Sequence, residues 1–360
     1  MKTLENCNQR LYYIDLLESI AIFFVVAYHC ANYNYNFFPG GEENYKFYFR
    51  YFLRTILSCG VPLFFFANGY LLLNRKFDFK KHLKKIVKLT ILTFLWGVIT
   101  LFIFMFIKDE FLSVNHFLHI MWYLQEDWNN HLWFMHTLIF IYLFFPLIKI
   151  AYDRKREVFY FFTLIAAILT FGTTALKLSL SIAYQDRFDD YFENLYHLRH
   201  IYWHAFVYFC LGGCFYNWKN NLKFLSKIYI NIPLILLSML GLFAVGVNIS
   251  YIDYHQWDVV WSGYDTLFTL ANVICIFFLC VKYPGKNNLL RKLFYLISVN
   301  TLGIYFIHVL FMQFFRPYVS DIETIRNIPC NMAYSLGILF LSLSTAVILK
   351  KIPVLRRLLA

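Results

Sequence analysis

A chain of 360 residues that is 60% hydrophobic and 15% charged lies well below the about 25% charge typical of soluble domains. Its apolar residues come in blocks of about twenty, the length a helix needs to cross a bilayer; the short alternating segments of a β-barrel are missing. The formal charge of +12 is sorted by membrane side rather than gathered on one face, so no nucleic-acid partner is expected.

The pattern predicts an all-α polytopic membrane protein, a single bundle of about ten transmembrane helices over residues 1–360. No separate soluble domain and no cleavable signal peptide are expected. The spans fall at about 14–31, 51–73, 86–107, 131–150, 158–177, 200–217, 229–248, 262–281, 293–315 and 332–349. With a cytoplasmic N-terminus, 24 of the 33 Lys and Arg lie in inner segments and 9 outside. Most acids, among them Glu42, Glu43, Asp109, Glu110, Asp186, Asp189, Asp190 and Glu193, fall in outer loops. Lys and Arg bias of this kind sets orientation and places both termini in the cytoplasm. Membrane lipids are the surrounding partner, with some attraction between the basic side and anionic head groups.

The first span, RLYYIDLLESIAIFFVVAYHC from Arg10 to Cys30, carries Asp15, Glu18 and His29. At about 100° per residue, Glu18 lies within about 20° of His29 in azimuth and Asp15 within about 40°. Ionisable groups at membrane depth face a protein interior or a water-filled cavity, so this face is expected to line a site. The following loop, 32–50, is aromatic with a Pro39-Gly40-Gly41 turn; its rings suit an interfacial belt or a sugar platform.

In the second span, GVPLFFFANGYLLL, Pro62 is expected to bend the helix or free a carbonyl. Asn68-Gly69 reads equally as a polar site element or as a helix-packing pair. The basic loop 74–88 holds Lys80, Lys81, Lys84 and Lys85. FLSVNHFLHIMWYL, within 108–130, is too short to cross and reads as an interfacial or re-entrant helix. His131, Trp133 and His136 open the fourth span.

Loop 178–199 is a lid candidate or a solvated connector. His197, His200, His204 and Tyr208 then recur as one helical stripe, a polar cavity wall or an interfacial face. One stripe does not bring three ligands to a point, so no metal is expected. In the ninth span Thr301, Tyr305 and His308 share a face, and His308 lies about 25 Å from Arg291 along a continuous helix. That is the depth of His29. The eight cysteines are scattered without a CxxC pair; Cys210 and Cys214 suit packing, and packing is the expected reading for Cys30 and Cys330 too, although both sit near outer ends where an oxidising compartment would allow a pair.

Taken together, these segments resemble the acyltransferase-3 family of integral membrane acyltransferases, an O-acetyltransferase-like group. IDLLESIAIFFVVAYH is similar to its opening helix, and GVPLFFFANGYLL to its second-helix signature, with Asn68-Gly69 where Ser-Gly is common. HLWFMHTLIFIYLFFPLI, VYFCLGG and TLGIYFIH resemble later family segments. In one departure, Glu18 stands where the family usually has Arg, eleven residues before the histidine.

The resemblance implies transfer of an acyl group, most often acetyl, from cytoplasmic acetyl-CoA to a hydroxyl of a glycan or lipid-linked sugar, in the inner membrane of a bacterial cell. On that expectation His29 acts as general base or transient acyl carrier, with His308 and Tyr305 orienting the acceptor or stabilising an oxyanion. Asp15, Glu18, Asn68, Lys80, Lys81, Lys84 and Lys85 form the donor side. His131, Trp133, His136 and His204 face the acceptor. Two other classes remain open on sequence: a transporter, since interrupted helices with buried charges also mark solute pathways, and a catalytically lapsed relative.

Overall fold

The computed structural model describes residues 11–30, 45–123, 127–184, 203–253, 263–283, 285, 287–319, 327–353 and 355–359. Every regular element among them is helical. In chain order these are α1 (Tyr12–Cys30), α2 (Tyr45–Arg54), α3 (Gly60–Leu72), α4 (Phe79–Lys108), α5 (Val114–Tyr123), α6 (Trp133–Arg154), α7 (Arg156–Ala167) and α8 (Thr173–Tyr184). After them come α9 (Trp203–Trp218), α10 (Ile228–Asp253), α11 (Leu267–Lys282), α12 (Asn288–Ser298), α13 (Thr301–Val319) and α14 (Ile328–Lys351).

Among the described residues, eight helical stretches are long and apolar enough to span a bilayer. α9 and α11, each 16 residues long, occupy the predicted sixth and eighth spans. Large apolar side chains such as Phe106, Phe140, Leu147, Phe162 and Leu237 stand on the outside of the bundle. Water would make that surface an aggregation site, whereas acyl chains accept it. The chain is a polytopic, multi-pass membrane protein.

α1 is the central post. Leu17, Ala21, Ile22 and Val26 are fully buried, and the helix packs against α3 and α11 through α14. α3 and α9 approach so closely that their backbones touch. A Cβ on Gly69 would sit 1.7 Å from the Phe209 carbonyl oxygen, and one on Gly212 would sit 2.0 Å from that of Phe66. Both halves of the Asn68-Gly69 pair are therefore used: the glycine packs, and the amide makes polar contacts described below.

Thr55–Cys59 winds as a 3-10 turn ahead of α3, which puts Pro62 in the first turn of α3. The first turn is where an α-helix tolerates proline, and here the chain enters it straight from the 3-10 turn, with the Gly60 N–H bonded to the Leu57 carbonyl. α5 is the short helix expected between the third and fourth spans. It lies mostly exposed, with Ile120 and Met121 closing a small satellite cluster on Leu101.

One expectation needs correction. The ninth span is not continuous: α12 ends at Ser298 and α13 begins at Thr301. The Asn300 amide donates to the Leu296 carbonyl at 2.7 Å and the Lys350 ammonium to the Val299 carbonyl at 2.9 Å. Side chains thus take over carbonyls at the break. Cys30 and Cys330 are both free, the first buried and the second exposed. Most of loop 32–50, residues 185–199 of the lid candidate, and His197 and His200 lie outside the described residues.

At the basic end, Asp78 caps α4 by accepting from the Lys81 backbone N–H at 3.0 Å. That bond holds its carboxyl below the ordinary carboxylate value. A lowered pKa means the cap stabilises fully above the unfolded-chain value and fades as pH falls through the folded one. Asp78→Ala is therefore expected to lower the thermal midpoint at neutral pH, and the gap to wild type should close on acidification. A gap that does not change with pH would count against the charged cap.

Candidate active site

α1 and the α12–α13 pair run side by side and in the same direction, joined at two levels. At the lower level the Ser298 hydroxyl donates to the Glu18 carboxylate. Nearby, the Ser19 hydroxyl reaches the Phe294 carbonyl at 3.2 Å and the Asp15 carbonyl at 2.7 Å, and Asp15 itself is buried. At the upper level the His29 and His308 rings lie 5.2 Å apart, centroid to centroid, tilted by 50°. His29 follows Glu18 by 11 residues and His308 follows Ser298 by 10. The break at Val299 and Asn300 therefore leaves the two histidines at one depth, and Glu18 and His29 both face the same neighbour.

His308 is wholly buried. Its Nδ1 lies 3.1 Å from the Ile304 carbonyl, which can only accept, so in the neutral ring Nδ1 carries the proton. Nε2 is then a bare lone pair, and it is buried without a hydrogen-bond partner. His131 Nε2 is in the same condition. One turn before His308, the Tyr305 hydroxyl donates to the His131 carbonyl. The Tyr305 ring stands 6.0 Å from that of His308 and 6.1 Å from that of His131. This contact pins the start of α6 to α13 and holds His131 beside Tyr305, one turn from His308. A buried polar atom left unpaired costs about 1–3 kcal/mol, so the unpaired nitrogens of His308, in ring contact with His29, and of His131, in ring contact with Tyr305, are groups that a hydroxyl-bearing molecule would satisfy.

Beside this cluster lies a second aromatic group. Trp133 stacks on Tyr264 at 5.9 Å and 28°, and His204 lies 5.3 Å from Tyr264 and 6.3 Å from Trp133. The Tyr208 hydroxyl holds Tyr264 through its carbonyl at 3.0 Å, so the His204–Tyr208 stripe does face inward. Phe134, next to Trp133, packs on Tyr305 at 5.4 Å and links the two groups. His136, one turn on, is half-buried.

At the basic end the polar groups form a different set. Tyr142 donates to the Asn68 amide oxygen at 2.7 Å and receives the Lys85 ammonium at 3.2 Å, while Asn68 donates to the Phe64 carbonyl at 2.9 Å. Of the four lysines singled out in the basic loop, only Lys85 joins Asn68. Lys80 and Lys84 are on the exposed side of α4, and Lys81 pairs with Asp78 at 3.5 Å. Among the described residues no group of three or more His, Cys, Asp or Glu is placed to hold a metal ion.

Sequence reasoning missed three participants. Tyr142 and Tyr264 are single tyrosines among 28, with no spacing that sets them apart. Arg54 is the third. It is buried at the end of α2, its guanidinium 5.2 Å from the Tyr28 ring, which in turn lies 5.0 Å from His29. The one signal in the sequence was its place, a cation three residues inside the predicted second span.

The family model described as an acyltransferase domain, Acyl_transf_3, matches residues 11–350, which takes in both levels of the α1 contact and all the groups above. No curated protein and no solved structure matches the chain.

Proposed function

Since the chain belongs to the acyltransferase-3 family, we propose that it moves an acetyl group from cytoplasmic acetyl-CoA to a hydroxyl of a cell-surface or lipid-linked glycan. The observation that carries this reading is the His29–His308 contact at 5.2 Å, with the unpartnered nitrogens of His308 and His131 beside it. In this reading His29 takes the proton of the acceptor hydroxyl as its oxygen attacks the thioester carbonyl. The new C–O bond forms, the C–S bond breaks, and the departing thiolate recovers the proton from the imidazolium. His308 Nε2 accepts a hydrogen bond from the sugar. The Tyr305 proton is committed to the His131 carbonyl, so Tyr305 positions the histidines rather than binding an oxyanion.

Donor and acceptor arrive from opposite ends. Glu18 and His29 are about 16 Å apart along α1 at about 1.5 Å per residue, a span an extended pantetheine arm covers. Asp15, Glu18, Asn68 and Lys85 lie on the donor side, and Trp133, His136 and His204 on the acceptor side. The setting is the cell membrane of a bacterium, its Lys- and Arg-rich side in the cytoplasm.

The test compares mass spectra of surface glycans from deletion and wild-type cells. A fragment lighter by one acetyl group is expected in the deletion strain. Identical spectra, together with no acetyl-CoA binding by the purified protein, would refute the reading.

A further inference from the structure

Only 9 of the 33 Lys and Arg fall on the side where α1 ends, and three of them stand on one helix. Lys46, Arg50 and Arg54 recur every four residues along α2, so they form one stripe, about 12 Å long at about 1.5 Å per residue. Their exposure is graded: Lys46 is exposed, Arg50 half-buried and Arg54 buried. Arg50 donates to the Asn327 side chain at 3.1 Å, at the start of α14. Asn331, one turn further on, donates to the Cys30 carbonyl at 3.1 Å. The stripe therefore faces the junction of α14 with the end of α1 rather than lipid. It ends at Arg54, stacked on Tyr28 beside His29. Nothing on the basic end explains it, because three cations aligned on the poorly basic side run against the topology signal.

We propose that this cationic ladder admits and selects an anionic acceptor, a sugar bearing a carboxylate or a phosphate, and delivers its hydroxyl to His29. The inference rests on the proposed acyl transfer and adds the charge class of the acceptor. A row of cations leading into a low-dielectric site focuses the field and raises the local concentration of an anion. The arginine forks suit carboxylate and phosphate equally. The unpartnered nitrogens of His308 and His131 at its foot supply bonds for the neutral hydroxyls of the same molecule.

The test uses the full chain in phosphatidylcholine nanodiscs with labelled acetyl-CoA. Glucuronate and glucose 6-phosphate are compared with methyl glucoside as acceptors. The anionic sugars are expected to show kcat/KM about tenfold or more above the neutral one at low salt. That advantage should shrink as salt screens the charges. In the Lys46→Gln, Arg50→Gln double variant, altered only at exposed and half-buried positions, the ratio should fall towards one. A ratio unchanged by the double variant, or equal use of both sugar classes, overturns the ladder but leaves acyl transfer standing. Thermal shifts with each sugar, read without acetyl-CoA, decide the ladder separately: glucuronate must stabilise wild type more than methyl glucoside does. If the shifts differ as expected but nothing is acetylated, the acyl-transfer reading fails and the ladder does not.

Discussion

His29→Ala is expected to lower acetyl transfer by about 10²- to 10⁴-fold, the usual contribution of a positioned acid–base group, with the protein still folded. His29 is only half-buried at the last turn of α1, and the core residues of that helix, Leu17 to Val26, lie below it, so truncation leaves the bundle intact. The assay is transfer from labelled acetyl-CoA in membranes, alongside the thermal midpoint. Full activity in the variant would remove His29 from the mechanism. A base and an acyl carrier separate in the pre-steady state: a carrier gives a burst of labelled protein when acceptor is withheld, and a base gives none. His308→Gln should cost less than His29→Ala, since it removes an acceptor of hydrogen bonds rather than the group that moves the proton. A larger loss at His308 would reverse the two roles.

The largest expected effect on folding comes from a single methyl group. Gly69→Ala would place its Cβ 1.7 Å from the Phe209 carbonyl oxygen, and that obstacle is backbone, which no rotamer change removes. α3 and α9 must then separate along the contact, losing packing that includes the fully buried Phe66 and Phe209. Close approach through small residues is a main source of helix association in membranes. The loss should exceed the about 1–3 kcal/mol of ordinary overpacking and show as a collapse of folded yield in detergent. Gly212→Ala strikes the same seam from the other side, 2.0 Å from the Phe66 carbonyl. Because either change already parts the helices, the double variant should cost less than the two singles added together. Two fully additive losses, or a stable Gly69→Ala protein, would show that the seam can open freely.

Much of this molecule was legible because membrane insertion punishes ionisable groups. Glu18, His29 and His308 stood out as residues that lipid would reject, and counting along each helix put both histidines at one depth. What the sequence left unread has physical causes. The break at Val299 and Asn300 has no Pro or Gly to announce it; it depends on Lys350, 51 residues away, reaching the Val299 carbonyl. Lys149 reads as one more inner-loop cation, yet it is buried, bonding to Asp153 at 2.7 Å and to the Leu73 carbonyl at the end of α3 at 2.9 Å. Arg54 opens the predicted second span and so reads as a flanking anchor, because burial by neighbouring helices leaves no trace in its own helix. Four lysines in a row of basic residues were indistinguishable until α4 turned only Lys85 towards Tyr142.

The paired contacts along α1 make that helix a ruler with two fixed marks, Glu18 on Ser298 and His29 on His308. A ruler of this kind keeps both length and phase. One residue inserted between the marks would turn His29 by about 100° and bury it in the wrong seam. Seven inserted residues, close to two full turns, would restore the facing direction but raise the ring by about 10 Å. Insertions therefore separate two demands that point substitutions confuse. If facing direction alone mattered, the seven-residue insertion would retain activity where the single insertion loses it. If the distance between the two ends is also set by the reach of the donor, both would be inactive, and only the native spacing of 11 residues would work.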